Sequence, residues 1–94
     1  MNTLETSFRD YLISQGYKQT TPSGQPSTVY DYCKRIAFVC NTEGLTWQGV
    51  KTNIKTLIKD YDYDGRKSIL GAKSHNSVIN ALKRFHEGVC KGKI

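Results

Sequence analysis

Ninety-four residues leave room for one domain with a single core, spanning residues 1–94, and are too few for a dinucleotide-binding fold or a two-domain enzyme. The net charge of +6 is unevenly placed: residues 51–94 carry ten lysines and arginines against Asp60, Asp62, Asp64 and Glu87, while residues 1–50 balance to zero. A basic half on so small a domain points first to a polyanionic partner, with solubility alone as the plainer alternative.

Apolar residues recur at helical spacing in four places, which predicts an all-α bundle. The first is NTLETSFRDYLISQG, where Asn2 can cap, Glu5 follows three residues later, Leu4, Phe8, Tyr11 and Leu12 share a face, and Gly16 can stop the helix. The polar stretch YKQTTPSGQPS, with two prolines and a glycine, reads as a loop. A second helix, capped by Ser27 or Thr28, has Val29, Cys33, Ile36 and Cys40 as its seam and Gly44 as its close. Thr46 then caps WQGVKTNIKTLIKDY, whose stripe of Trp47, Val50, Ile54, Leu57, Ile58 and Tyr61 predicts one continuous third helix.

That helix stops at Asp60-Tyr61-Asp62-Tyr63-Asp64-Gly65, which opens like a calcium-binding loop. Such a loop needs a bidentate glutamate at its twelfth position, and here the twelfth residue is Gly71, with Arg66 and Lys67 at positions seven and eight. The stretch therefore reads as an acidic turn, and no metal or cofactor is expected. The segment GRKSILGAK reads as a connector with at most one helical turn, its Ile69 and Leu70 tucked against the bundle. Ser74 is placed as the cap of a last helix with Val78, Leu82, Phe85 and Val89 as its seam, ending near Gly88. Residues 1–2 and 90–94 are expected as loose ends.

Three cysteines, Cys33, Cys40 and Cys90, lack metal-ligand spacing, and a helix would hold the first two roughly 10 Å apart, beyond disulfide reach. They read as reduced, buried thiols of a cytoplasmic protein. No signal peptide and no apolar run of membrane-spanning length is visible, so no membrane association is expected. His75 and His86 stand about three turns apart on one helix, too far to share a proton or a metal. With no nucleophile and base at short spacing and no strand-borne phosphate loop, the sequence argues against an enzyme.

Two polar faces stand out. Opposite Leu82, the last helix presents Asn76, Asn80, Lys83, Arg84 and Glu87; asparagine amides suit adenine, and lysine or arginine suits guanine or phosphate. On the third helix Lys51, Lys55 and Lys59 recur every four residues without intervening acids, an arrangement that repels itself and adds nothing to helix stability. Phosphates are the simplest reason for such a ridge, a solvated face the plainer one. Lys73 and Ser74 at the start of the last helix offer one more phosphate contact through free N–H groups.

The segments FRDYLISQG (Phe8–Gly16), STVYDYCKRIAFVC (Ser27–Cys40) and KSHNSVINALKRFHEGV (Lys73–Val89) resemble the N-terminal core-binding domain of tyrosine recombinases and phage integrases. The likeness covers nearly the whole chain. It implies a SAM-like bundle of four or five helices that clamps one side of duplex DNA, with the second and last helices facing it. Carried onto this sequence, the likeness implicates Lys34 and Arg35 as well as Lys73, Ser74, Asn76, Asn80, Lys83 and Arg84. The catalytic domain of that family, with its arginines, histidine and tyrosine nucleophile, has no counterpart here. The expected function is thus a non-catalytic module for double-stranded DNA. The alternative is a small interaction module or phage-encoded inhibitor that binds a protein or nucleoprotein partner, with Tyr17, Tyr30, Phe38 and Tyr63 as candidate anchors.

Overall fold

A computed structural model describes residues 3–17 and 28–94, together with the backbone but not the side chains of Ser74 and His75. The expected caps at Asn2 and Ser27 and most of the predicted loop lie outside the described residues. The architecture is a small all-α bundle of α1 (Thr3–Ser14), α2 (Thr28–Glu43), α3 (Trp47–Thr52), α4 (Ile54–Tyr61), α5 (Ser68–Gly71) and α6 (Lys73–Cys90). Its Cα radius of gyration, 12.6 Å, is about that of a compact chain of this length.

Helices α2 and α6 make the most extensive pairing, and the others gather around it. The core is aromatic at its centre. Phe8 from α1, Trp47 from α3 and Phe85 from α6 meet with ring centroids 5.2 to 6.3 Å apart, the Phe8–Phe85 pair edge to face. Leu12, Ile36, Val39, Val50, Val78 and Leu82 close around them, all fully buried. The seams predicted for the first, second and last helices are recognisable here, with Val39 added and Cys33 left half-buried.

Several punctuation marks act as read. Gly16 (φ 96°) and Gly44 (φ 66°) sit in the left-handed region that ends α1 and α2. Thr46 accepts a hydrogen bond from Gly49 N–H at 3.1 Å and caps α3.

Four expectations are corrected. The third helix is two, α3 and α4, divided at Asn53 (φ −105°, ψ 17°). Two consecutive side chains bond back into the preceding turn, Thr52 Oγ1 to Gln48 O at 2.9 Å and Asn53 Nδ2 to Gly49 O at 2.8 Å, a competition that bends helices. Ile69 is 87 % exposed, because α5 is a single turn and can bury only one of two adjacent apolar residues; Leu70 takes the inner position. Helix α6 starts at Lys73 behind Ala72, with no side-chain cap, so Ser74 lies within the helix. It also runs through Gly88 to Cys90. Gly88 is buried there for close approach, since a Cβ would meet Ile94 Cδ1 at 2.4 Å and Tyr11 Cδ2 at 3.1 Å. The tail turns at Gly92 (φ 71°) and lays Ile94 against the core.

Candidate nucleic-acid interface

The acidic turn settles how α6 meets solvent. Asp62 caps α4: its backbone N–H donates to Ile58 O, and its Oδ1 accepts Tyr63 N–H at 2.8 Å. Gly65 folds the turn back against the end of α4, where a Cβ would lie 2.1 Å from Asp60 O and 2.2 Å from Lys59 O. No other residue fits that approach. Two of its three carboxylates are then taken up by cations: Asp60 by Arg66 Nη2 at 3.1 Å, and Asp62 by Lys83 Nζ of α6 at 3.4 Å. Asp62 is held below the usual carboxyl range, first by the Tyr63 N–H and then by Lys83. Among the described residues no three carboxylates, imidazoles or thiols converge as a metal site would require.

Behind this turn a second network ties three segments together. Buried Tyr61 donates to Glu43 Oε2 at 2.9 Å, and Lys67 pairs with the same oxygen. Glu43 is held below its usual range, chiefly by Lys67, while burial and that carboxylate push the Tyr61 phenol well up. The end of α2, the end of α4 and the connector are thereby fixed to one another.

Most of the predicted contact residues can now be placed. On α2, Arg35 is committed to Asp31 at 3.2 Å, with its Nε buried and unpaired, while Lys34 is exposed and lines a cleft with Arg9, Tyr30 and Cys33. On α6, Asn76, Asn80 and Lys83 are exposed and line one groove of about 440 Å³. Tyr63 and Ile69, each 87 % exposed, line the same groove. Arg84 pairs with Glu87 at 3.4 Å, and Lys73 lies over the Phe38 ring, 4.8 Å from its centroid. Asn76 has φ 67°, left-handed backbone inside a helix, which asparagine tolerates better than most residues. The side chain of Ser74 lies outside the described residues.

The lysine ridge differs. Ile54, Leu57 and Tyr61 bury the inner side of α4, which leaves Lys55 and Lys59 exposed on its outer side; Lys51, on α3, is half-buried. The break at Asn53 divides the ridge into one lysine and two. None of the three, nor Lys34, takes part in an ion pair among the described residues.

A further pairing not predicted from the sequence is that of His86 and Cys90, four residues apart on α6, with Sγ 3.6 Å from Nε2. Their spacing was the available signal. No family model, curated protein or solved structure matches the chain. The likeness to the recombinase core-binding domain rests on the helical seams of the sequence alone.

Proposed function

We propose that this chain is a non-catalytic module that binds duplex DNA through its phosphates, with Lys51, Lys55 and Lys59 as the principal contact ridge and Lys34 as a further contact. The observation that carries this reading is pairing: Arg35, Arg66, Lys67, Lys83 and Arg84 each face a carboxylate of the same chain, and the ridge lysines face none among the described residues. An unpaired lysine reaches a phosphate without first giving up a partner, and each phosphate neutralised releases condensed counterions. Asn76 and Asn80, exposed beside a groove, are the residues offered for base contact, at most a few hydrogen bonds of sequence preference. The resemblance to recombinase core-binding domains points the same way, toward a DNA clamp separated from any cleavage domain.

The test is fluorescence anisotropy of a labelled random duplex at about 50 mM and about 200 mM salt. Binding at the lower salt that collapses at the higher, and that Lys55→Glu weakens on every sequence, supports the proposal. Failure to bind at the lower salt removes it.

A second reading is favoured by Tyr63 and Ile69, which both line the α6 groove with most of their surface in water. A protein partner would use them as anchors. Tyr30 is also exposed, but Tyr17 packs edge to face on Tyr32 at 5.9 Å and Phe38 lies under Lys73, so neither is free to anchor anything. Under this reading Ile69→Asp abolishes complex formation and moderate salt does not.

A further inference from the structure

The groove between the acidic turn and α6 is lined by two kinds of side chain. Tyr63 and Ile69 stand mostly in water and line it together with buried Tyr61 and Ile79. Asn76 and Asn80, four residues apart on α6, line it too, and neither side-chain amide is engaged in a hydrogen bond among the described residues. At about 440 Å³ the groove falls within the roughly 300–1,000 Å³ of small-molecule sites. Its charge is cancelled from within, because Asp62 and Lys83 line it as an ion pair at 3.4 Å.

We propose that this groove takes one unpaired base of a DNA strand, stacked on Tyr63 and held at its edge by Asn76 and Asn80, an inference that rests on the ridge lysines holding that strand's phosphates. Three observations carry it. The first is the exposed ring of Tyr63, since an aromatic side chain in water is a stacking platform and every base has a face to offer it. A paired duplex keeps those faces inside its stack and presents only base edges in its grooves. A ligand that uses both the ring and the amides is therefore a base taken out of the stack.

The second observation is charge. A phosphate entering the groove would meet Asp62, whereas a neutral base meets no opposition from the Asp62–Lys83 pair. The phosphates belong on lysines without an ion-pair partner among the described residues, and one of these, Lys59, stands only four residues before Tyr63. The third is the left-handed backbone of Asn76, φ 67°. Glycine would adopt it at no steric cost, so asparagine here supplies a side-chain amide where the backbone would be easier without one. Each amide offers both a donor and an acceptor, the pairing that suits adenine. An apolar protein anchor seated in the same place would cover both amides and take away their water without replacing it.

The experiment titrates the full chain, by fluorescence anisotropy at about 50 mM salt, into a labelled duplex carrying one bulged adenine and into the same duplex fully paired. The bulged duplex should bind about ten-fold tighter. Tyr63→Ala should bring it to the level of the paired duplex, and Tyr63→Phe should keep the preference, because a phenyl ring still stacks. Asn76→Gly, which retains the left-handed backbone and drops the amide, should lose part of the preference; circular dichroism confirms that each variant is folded. Equal affinity for the two duplexes, the result a protein-binding groove would give, overturns the proposal and leaves the phosphate ridge standing. A preference that survives Tyr63→Ala overturns it in the same way. Failure to bind either duplex removes the ridge and this proposal together.

Discussion

The outer side of α3 and α4 and the outer side of α6 both carry cations, and in the sequence both look suited to a polyanion. They differ in what the fold sets against each cation. On α6, Lys83 meets Asp62 of the acidic turn and Arg84 meets Glu87; on α3 and α4, Lys51, Lys55 and Lys59 meet no carboxylate among the described residues. The charge available to a partner is what remains after internal pairing, and by that measure the two faces are unequal. The α6 pairs are partly exposed, and such pairs contribute about 0–1 kcal/mol each. A phosphate could displace them, but it would have to compete with Asp62 and Glu87 first. On the other face no carboxylate among the described residues competes.

The sharpest way to break this comparison is to reverse the free lysines. Lys55→Glu with Lys59→Glu should weaken binding to a random duplex on the order of 100-fold at low salt and flatten the slope of log K against log salt by about two units. Both side chains are exposed, so the melting temperature should hardly move. A loss smaller than that of the matching reversals at Lys83 and Arg84 would mean that the paired face is the one that binds.

A smaller effect, of opposite sign, is expected from freeing α6. Asp62→Asn removes the acceptor of Lys83 and one negative charge beside the groove, and keeps a side-chain oxygen for the Tyr63 N–H. Duplex affinity should rise about three-fold at low salt, with no change at high salt, in the same anisotropy assay. An unchanged affinity would show that α6 lies away from the DNA whatever its pairing.

Much of the fold was legible, because helical seams and glycine stops are local signals. The fully buried Phe8, Leu12, Ile36, Leu82 and Phe85 all lie on predicted seams, and Gly16, Gly44 and Thr46 act as the chain spelled them. The break at Asn53 was hidden because the apolar stripe runs on through it; the adjoining threonine and asparagine were the mark of it. Gly88 misled for the reverse reason, since a glycine kept for the approach of Ile94 looks in sequence like a helix stop. In the candidate site, residue types were readable and pairing only partly so. Arg84 with Glu87 and His86 with Cys90 follow from helical spacing. Asp62 with Lys83 does not: they lie on different elements, and only the turn over Gly65 brings them together.

The mildest test lowers the pH until the carboxylates that tie the acidic turn, α2 and α6 lose their hold. Glu43 has its pKa pulled below the ordinary 4.5, first by Lys67 and also by the Tyr61 hydroxyl. For a carboxyl depressed in the folded state, the stabilisation is complete above the unfolded value and is lost as pH falls through the folded one. The melting temperature should therefore hold steady down to about pH 4.5 and decline below it. Asp62 and Glu87, depressed in the same sense, add to the decline. Glu43→Gln should lower stability at neutral pH by about 1–2 kcal/mol and make the acid decline shallower, because the ionised partner of Lys67 is gone. The same protonation removes the acceptors of Lys83 and Arg84, so α6 becomes as free as α3 and α4 just where the fold begins to weaken. A variant that lost stability at neutral pH yet kept the full acid decline would place the responsible carboxylates elsewhere and leave Glu43 with a packing role only.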